Sequence, residues 1–410
     1  MRICLLSHLF PARSETFVRG HAMGLASRGH EVTAVARSSG GDMSPAEIKQ
    51  MDEAGIQQVH VGLPASRRVI LPEYCRQIWR QGGWVIPFSR GTRWTLQRNT
   101  ESLRYLKEIQ RLSPHVVHVH FGDLGARMAR LGRFSGFPIP NVVTWHGYEA
   151  TALASQLGPE TFLELFQSDC LHTVGSVFMQ QRLIALGARP ESINVIPMGI
   201  DLERFGWSQE PKSRHGTLRV LSVGRLVEVK GHSYLLEAIG KLAQAGRRVE
   251  LRLVGDGPLR EALEAQAKDL AIESRVSFAG GLEQDEVVSE MRKADLFALT
   301  GVIEATGRAE GQGLVYAEAQ AMGLPVIASD VGGVRDSIVD EETGFLCHQR
   351  DVEMIAQKIA YFDEYRGEIF RFGARGRAFV ECGFSKERML DAFETLYGQI
   401  TLEQGLQKSR

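Results

Sequence analysis

The feature that most constrains the fold is a strand–turn–helix pattern that occurs in two successive series along the chain. The first series runs through the short apolar stretches RICLLS, HEVTAVA, HVVHVH, NVVTW, CLHTV and INVIP and ends near residue 197. The second series begins at LRVLSVG and continues through VELRLVG, RVSFAG, ADLFALT and PVIAS. Apolar strands that alternate with helices are typical of parallel sheets covered on both faces. The sequence therefore predicts an α/β fold with two doubly wound, Rossmann-like domains whose sheets face a central cleft.

The two series meet in a polar segment, residues 201–216, where Gly, Pro and charged residues replace the periodic pattern. We predict a first domain over residues 1–200 and a second domain over residues 201–384. Three helical stretches close the chain, and the last of them, at about 385–410, is predicted to pack back on the first domain. The length of 410 residues also favours two hydrophobic cores over one.

The composition excludes several classes of protein. Lys and Arg number 48 against 49 Asp and Glu, a balance that argues against a nucleic-acid-binding protein. The five cysteines are scattered, odd in number and without a CxxC pair, which indicates reduced thiols in a cytoplasmic protein. The opening MRICLLSHLFPA fits a buried strand better than a signal peptide. No apolar run reaches the roughly 18 residues that a membrane helix needs.

The stretch VGRLVEVKG, residues 223–231, combines two cations with the expected start of a helix. Gly224 ends a strand, and Arg225 and Lys230 lie in or near the loop that leads into the next helix. Two cations beside a helix N-terminus form an anion site that suits a diphosphate. The motif alone leaves open a solvated loop with two surface charges.

The stretch EGQGLVYAEAQAM contains two glutamates, and two glycines follow closely after the first of them. Glu310 is expected in the loop after the strand ADLFALT, and Glu318 in the first turns of the following helix. Gly311 and Gly313 let backbone N–H groups approach a ligand, while carboxylates accept hydrogen bonds from sugar or ribose hydroxyls. The structural alternative is a surface Glu310 with a capping or salt-bridged Glu318. Together with the upstream cations, the pattern favours a ligand site.

The first series carries polar residues at the expected ligand edge of its sheet. TWHGYE places His146 directly after a strand and before a glycine. His118 and His120 alternate with apolar residues on one strand, and a metal pair there lacks an apparent third ligand nearby. The first strand-to-helix loop holds three polar residues that could face the cleft or cap the helix: Ser14, Glu15 and Thr16.

Neither a metal nor a cofactor is indicated. No D-x-D occurs in the sequence, so the cations near VGRLVEVKG would stabilise a diphosphate in place of a metal ion. VGDGP is not the start of a GxGxxG fingerprint, because Arg260 stands where the third glycine would be, which counts against a nicotinamide dinucleotide domain.

These motifs resemble a known family. VGRLVEVKGHSYLLEA, LVGDGPLR and EGQGLVYAEAQAMGLPVIASDVGGVRDSIVDEETGFL are similar to the carboxyl-terminal domain of glycosyltransferase family 4, which has the GT-B fold. INVIPMGIDLERF resembles the passage between its domains, so the resemblance covers about residues 190–350. SETFV, HVHFG and TWHG look like the branch that builds bacterial exopolysaccharides of the colanic-acid type. The usual glycine-rich loop after the first strand is absent, and PARSET takes its place.

The resemblance implies a retaining, metal-independent transferase of the hexosyltransferase type, acting on a UDP- or GDP-linked sugar and a glycan or lipid-linked acceptor. By position, Arg225 and Lys230 would hold the diphosphate, and Glu318 would accept from the ribose hydroxyls. Glu310 would hold the donor sugar, with His146 beside it. The rest of the donor site would be formed by Gly224, Gly311, Gln312, Gly313 and Leu314. The acceptor side would comprise Ser14, Glu15, Thr16 and His120.

Two other classes of function stay open at this point. One is a nucleotide-sugar epimerase of similar two-domain build, or a phosphorylase, although no motif surrounds a cofactor lysine. The other is a carbohydrate-binding protein without turnover.

A basic stretch, residues 66–111, holds ten Lys and Arg and three acidic residues, interspersed with tryptophans. Basic residues attract an anionic leaflet and tryptophans favour the headgroup zone, so peripheral contact with the inner face of a membrane is one interpretation. A pair of amphipathic helices with a solvated basic face is the other.

Overall fold

The computed structural model contains two compact units, each built around one parallel sheet. The first unit comprises Met1–Gly175, Met179–Ile196 and Leu390–Arg410, and the second comprises Ser176–Phe178 and Pro197–Met389. The prediction of an α/β fold with two Rossmann-like sheets is confirmed. The residues that the structure describes are 1–12, 15–41, 43–63, 72, 75–76, 96–135, 139–208 and 216–408.

The first sheet has seven strands among the described residues. They are β1 Arg2–Leu9, β2 Glu31–Ser38, β3 Gln57–His60, β4 Val116–His120, β5 Val142–Trp145, β6 Leu171–Val174 and β7 Ile193–Val195. Their order is β3-β2-β1-β4-β5-β6-β7, and all neighbours pair in parallel.

Helices connect these strands, as parallel pairing requires. They are α1 Thr16–Ser27, α2 Pro45–Glu53, α3 Leu96–Leu112, α4 Gly122–Ser135, α5 Ala154–Leu157, α6 Leu163–Phe166 and α7 Val177–Ala185. The start of α2 shows how the sequence sets a boundary: Ser44 and Glu47 form a reciprocal capping box, and Pro45 occupies the first helical position.

The second sheet has six strands within the described part of the chain. They are β8 Leu218–Val223, β9 Val249–Val254, β10 Val276–Phe278, β11 Leu296–Leu299, β12 Val326–Ser329 and β13 Gly344–Cys347. The order is β10-β9-β8-β11-β12-β13, again parallel throughout. The accompanying helices are α8 His232–Gln244, α9 Arg260–Asp269, α10 Gln284–Lys293, α11 Leu314–Ala321, α12 Val352–Glu364, α13 Arg366–Gly383 and α14 Lys386–Lys408.

The second sheet is buried on both faces, which explains its continuous apolar strands. Leu218 and Val220 of β8 pack in one cluster with α8 and α12, whereas Leu221 packs in another with α10 and α11. Successive strand residues point to opposite faces of a sheet. The two clusters therefore cover the two faces, as a doubly wound fold requires.

The last helix joins the first unit from Leu390 onward. Leu390 packs so closely on α1 that a Cβ at Gly24 would lie 2.6 Å from its Cδ1. Arg28 Nη1 lies 2.6 Å from both Asp391 Oδ1 and Glu394 Oε2. The final residues of the chain thus complete the packing around the first helix.

Each sheet has a point where its strand order reverses. In the first sheet this point lies between β1 and β4, and in the second between β8 and β11. In open α/β sheets, ligands bind beyond the carboxyl ends of the strands at such points. The loops after these strands are therefore where functional groups are expected.

The described helices include none that is both long and apolar enough to cross a membrane. All five cysteines are free thiols in this structure.

Candidate active site

An ion pair occupies the point of reversal in the second sheet. Lys230 ends a short 3-10 turn between β8 and α8, and Glu310 lies in the loop between β11 and α11. Lys230 Nζ donates to Glu310 Oε2 at 2.5 Å, and the two side chains are 21% and 19% exposed. Two groups far apart in sequence thus meet where a ligand would bind.

The charge on Glu310 is set by two opposing effects. Burial alone would raise the pKa of its carboxyl group. The charge and hydrogen bond of Lys230, with smaller contributions from the Gly311 N–H and Arg308, outweigh burial and hold this pKa below its ordinary value. Glu310 is therefore a carboxylate at neutral pH. Arg225, on the loop after β8, is exposed and adds a second cation.

The loop that carries Glu310 is fixed through its backbone carbonyls. The carbonyls of residues 310, 311 and 312 each accept a hydrogen bond from a different group. The respective donors are the Gly333 N–H at 2.9 Å, the Ser176 hydroxyl at 2.6 Å and the Ser337 hydroxyl at 2.8 Å. The loop is thereby held at three successive positions.

The glycine pair of DVGGVRDS, Gly332 and Gly333, packs directly against this loop. A Cβ at Gly332 would lie 2.1 Å from the Glu310 carbonyl oxygen, and one at Gly333 would lie 1.9 Å from that of Gly311. Real Cβ atoms do not approach backbone so closely, so larger residues would displace the loop. Gly313, with φ at 78°, then turns the chain into α11.

Gln312 and Leu314, predicted in the donor site, have different roles. The Gln312 side chain is buried, accepting from the Met198 N–H at 2.9 Å and donating to the Met198 carbonyl at 3.1 Å. These two hydrogen bonds occupy the Gln312 amide group within the protein, so we do not expect this side chain to contact a ligand. Leu314 is the first residue of α11, where backbone N–H groups lack intrahelical partners. Gly224 directly follows β8, as predicted.

Glu318 lies inside α11, as the sequence predicted, and is half-buried. Burial raises the pKa of its carboxyl group to about 7, although Arg204 acts in the opposite direction. Glu318 is thus poised between its neutral and charged forms near physiological pH.

In the first unit, His146 directly follows β5, and its backbone is held by a residue that sequence reasoning missed. Glu149 Oε1 accepts from the His146 N–H at 2.8 Å and from the Gly122 N–H at 3.3 Å. Burial raises the pKa of the Glu149 carboxyl group to about 7, against these two donors. The three-residue spacing in HGYE matches the reach of a capping glutamate, a signal that was available in the sequence.

The histidines of β4 are buried among other histidines. His120 Nδ1 lies 3.0 Å from His146 Nε2, and His120 Nε2 lies 3.3 Å from Nδ1 of His21 on α1. His120 was predicted on the acceptor side, but its side chain is fully buried, so it contacts His146 and not a ligand. Burial lowers the pKa of His120 to about 3 and also lowers those of His21, His118 and His146, so these imidazoles are neutral.

The absence of a third ligand near His118 and His120 was a wrong inference from the sequence. His21 brings one ring nitrogen within 4.8 Å of theirs, a grouping that could hold a metal ion. The sequence did not indicate this grouping, because His21 belongs to a helix and lies 97 residues before His118.

The loop after β1 holds the remaining predicted residues. Ser14 lies outside the described residues, and Thr16 is the first residue of α1. Glu15 occupies the N-cap position without a side-chain capping bond, and burial raises the pKa of its carboxyl group to about 7, against the nearby His8. His8 Nε2 lies 2.9 Å from Asp123 Oδ1, a pair that the sequence did not reveal.

Two family models match the chain in succession. The model described as Glycosyltransferase Family 4 matches residues 14–204, and the model described as Glycosyl transferases group 1 matches residues 204–378. The chain belongs to glycosyltransferase family 4. This membership confirms the resemblance seen in the sequence, and it extends the match over most of both units.

Relatives of this glycosyltransferase include proteins of exopolysaccharide biosynthesis. The amylovoran biosynthesis glycosyltransferase AmsK of Erwinia amylovora is 30% identical over 269 residues, 65% of this chain and 66% of AmsK. The putative colanic acid biosynthesis glycosyltransferase WcaL of Salmonella typhimurium is 27% identical over 386 residues, 88% of this chain and 90% of WcaL. The chain thus matches just under two thirds of the length of AmsK. These relatives favour a glycosyltransferase over the epimerase and the inert binding protein.

The fold of this glycosyltransferase is also found in solved structures. Anabaena Alr3699/HepE, in complex with UDP and glucose, has a TM-score of 0.72 and 18% identity, covering 97% of this chain and 99% of HepE. At that identity the likeness shows the fold, and the predicted GT-B fold is confirmed.

Proposed function

We propose that this glycosyltransferase moves a sugar from a nucleotide diphosphate sugar to a glycan or lipid-linked acceptor in the biosynthesis of a bacterial surface polysaccharide or exopolysaccharide. The observation that carries this proposal is the pair of Lys230 and Glu310 at the point of reversal of the second sheet. A cation there suits a diphosphate, and a carboxylate suits sugar hydroxyls. The donor is proposed to be a UDP- or GDP-linked sugar.

Lys230 and Arg225 are proposed to stabilise the leaving diphosphate. Breaking the anomeric bond leaves negative charge on the phosphate oxygens, and preorganised cations stabilise charge as it develops. The N-terminal N–H groups of α11 add a partial positive charge. With these groups in place, the reaction needs no metal ion.

Transfer is proposed to retain the anomeric configuration, with the acceptor arriving on the face that the diphosphate leaves. The departing phosphate oxygen then takes the proton of the acceptor hydroxyl. Glu310 is assigned to the hydroxyls of the donor sugar and not to nucleophilic attack, because its charge is already matched by Lys230. Glu318 is assigned to the ribose hydroxyls.

The first unit is proposed to supply the acceptor side, through Ser14, Glu15 and Thr16, and to bring His146 to the donor sugar. Glu149 supports this role, since it fixes the backbone at His146. His120 supports the same residue through its hydrogen bond to the ring.

Peripheral contact with an anionic membrane is proposed for the basic stretch at residues 66–111, consistent with a cytoplasmic enzyme and a lipid-linked acceptor. Residues 66–71, 73–74 and 77–95 lie outside the described residues. Within α3, Arg104 donates to the carbonyls of Val61 and Gly62. Arg104 is thus occupied inside the fold, and the membrane contact is assigned to the residues before α3.

Incubation of the purified chain with UDP- and GDP-linked sugars tests the proposed function. We expect one nucleoside diphosphate to be released with transfer or slow hydrolysis, and the product to keep the anomeric configuration of the donor by NMR. An epimerised sugar nucleotide, or binding without release, would contradict the proposal. An inverted product would overturn only the retaining mechanism.

A further inference from the structure

Seven side chains of the first unit form one unbranched chain of hydrogen bonds. Along this histidine chain the successive donor–acceptor distances are 2.5, 2.6, 2.5, 3.3, 3.3 and 3.0 Å. Six of the members are at most 1% exposed, and the last is half-buried. In order, the members are Thr173, Thr144, His118, Tyr397, His21, His120 and His146.

The histidine chain must run in a single direction. A neutral imidazole has one N–H and one bare nitrogen, so each histidine within the chain donates to one neighbour and accepts from the other. Each hydroxyl has one hydrogen, and a buried hydroxyl hydrogen without an acceptor is unfavourable. Only two arrangements satisfy every link: all hydrogens point toward His146, or all point toward Thr173.

The far end decides between these two directions. If the hydrogens pointed toward Thr173, its own hydroxyl hydrogen would need an acceptor beyond the chain. Among the described residues, the Thr173 hydroxyl makes its hydrogen bond to Thr144 alone. If the hydrogens point toward His146, every buried donor is used, and the one remaining N–H is that of His146 Nδ1, at the half-buried end.

We propose that the histidine chain runs from Thr173 to His146 and holds His146 as the neutral tautomer with its hydrogen on Nδ1. His118, His21 and His120 carry their hydrogens on Nδ1 in the same way. His146 then presents a hydrogen-bond donor, and not an acceptor, to a ligand hydroxyl at the carboxyl edge of β5. The contact with a substrate rests on the proposed function, whereas the tautomers do not.

Tyr397 makes α14 part of this arrangement. Its hydroxyl accepts from His118 Nδ1 and donates to His21 Nε2, so it transmits the direction from β4 to α1. Phenylalanine would keep the ring and remove both hydrogen bonds. Tyr397 is therefore a positioning residue that acts on His146 through His21 and His120.

NMR of the full-length chain with 15N-labelled histidine tests the tautomers directly. We expect Nδ1–H signals for all four histidines of the chain. His172 is the internal reference, because its Nδ1 accepts from the Trp145 indole N–H at 3.3 Å and its hydrogen must lie on Nε2. Nε2–H signals from His120 and His146 would reverse the direction and overturn the proposal.

Substitutions that remove one hydrogen-bonding hydroxyl interrupt the histidine chain at a known link. In Tyr397→Phe we expect His146 to show both tautomers and the KM of the donor or acceptor to rise severalfold with a smaller change in kcat. Thr144→Val removes the donor to His118 and is the second variant if Tyr397→Phe does not fold. Tyr105→Phe is the control, since its buried hydroxyl donates to the Ser7 carbonyl at 2.7 Å, outside the chain.

The outcomes distinguish the positioning role of Tyr397 from the contact of His146 with a substrate. A single Nδ1–H tautomer of His146 in both Tyr397→Phe and Thr144→Val would overturn the positioning role. Altered tautomers with unchanged kinetics would instead overturn the contact of His146 with a substrate, which belongs to the proposed function.

A metal ion is the competing occupant of these nitrogens. In the histidine chain, both ring nitrogens of His21, His118 and His120 are already used in hydrogen bonds. We therefore expect no bound zinc after equilibration with Zn²⁺ and gel filtration. One equivalent of zinc that is lost in His21→Gln would overturn the hydrogen-bond chain.

Discussion

Lys230 Nζ and Glu310 Oε2 lie 2.5 Å apart, so the cation proposed to meet the diphosphate already has a carboxylate partner. A donor that arrives at this point must share Lys230 with Glu310. Its diphosphate competes for the ammonium group, while its sugar hydroxyls offer Glu310 new donors. In the proposed function, the pair therefore couples the phosphate half of the donor to the sugar half.

Lys230→Ala should lower turnover by about 10²–10³-fold, the typical effect of removing one group that stabilises developing charge. The measurement is kcat for the best donor found, with circular dichroism as the check of folding. Lys241→Ala is the matched control, because Lys241 is an exposed lysine on α8 that pairs with Glu353 at 3.0 Å. Wild-type turnover in folded Lys230→Ala would remove this residue from the active site.

Glu310→Ala and Glu318→Ala should affect different ligands. Glu318→Ala is expected to weaken the free nucleoside diphosphate, because a partner of the ribose is lost. Glu310→Ala should weaken the sugar-bearing donor but not the nucleoside diphosphate, since Lys230 is freed from its carboxylate. Calorimetry with both ligands distinguishes these cases, and an equal loss for both ligands in Glu310→Ala would refute the assignment.

Binding of the nucleotide should depend on pH through Glu318. Burial raises the pKa of this carboxyl group to about 7, and only its charged form is a strong acceptor for ribose hydroxyls. The affinity of the wild type should therefore rise with pH through about 7, relative to Glu318→Gln. The ratio of the two affinities at each pH cancels the titration of the nucleotide's phosphates, because that titration affects the wild type and Glu318→Gln equally. A ratio that is constant from acidic to alkaline pH would contradict the ribose contact.

Activity should persist in excess EDTA, because Arg225 and Lys230 are proposed to replace a metal ion at the diphosphate. The initial rate is compared before and after chelation, and again after Mg²⁺ or Mn²⁺ is added. Complete loss with EDTA, restored by either ion, would show that the two cations are insufficient.

The basic stretch should bind anionic vesicles at low salt. Basic residues near a surface contribute about 1 kcal/mol each, and salt screens the attraction. Changing Arg67, Arg68, Arg76 and Arg80 to Glu should abolish co-sedimentation, while neutral vesicles serve as the control for the wild type. Equal pelleting with neutral and anionic vesicles would leave a solvated basic face as the better interpretation.

The parallel sheets, and the elements that carry the residues proposed for the donor site, could be predicted because they depend on local patterns. Apolar strands, glycine turns and helix starts placed Glu310 in a loop and Glu318 in a helix. The ion pair between Lys230 and Glu310 could not be predicted, since it joins side chains 80 residues apart across two neighbouring loops of the sheet.

The histidine cluster shows the same limit more strongly. The alternation of His118 and His120 predicted that they share one face of β4, but not what covers that face. The covering residues are His21 of α1 and Tyr397 of α14, the latter 279 residues after His118. Glu149 is a different case, because its three-residue spacing from His146 was sufficient to predict the hydrogen bond to the His146 N–H.

The contribution of α14 to the first sheet has a consequence for gene design. The simplest chimaera of two relatives is cut once, at the passage between the domains. A single cut near residue 200 would pair the first sheet of one parent with the last helix of the other, and so replace Leu390, Phe393 and Tyr397 together. If the first unit binds the acceptor, as proposed, an exchange of acceptor specificity must therefore transplant two segments, or begin from a circular permutant in which α14 precedes Met1.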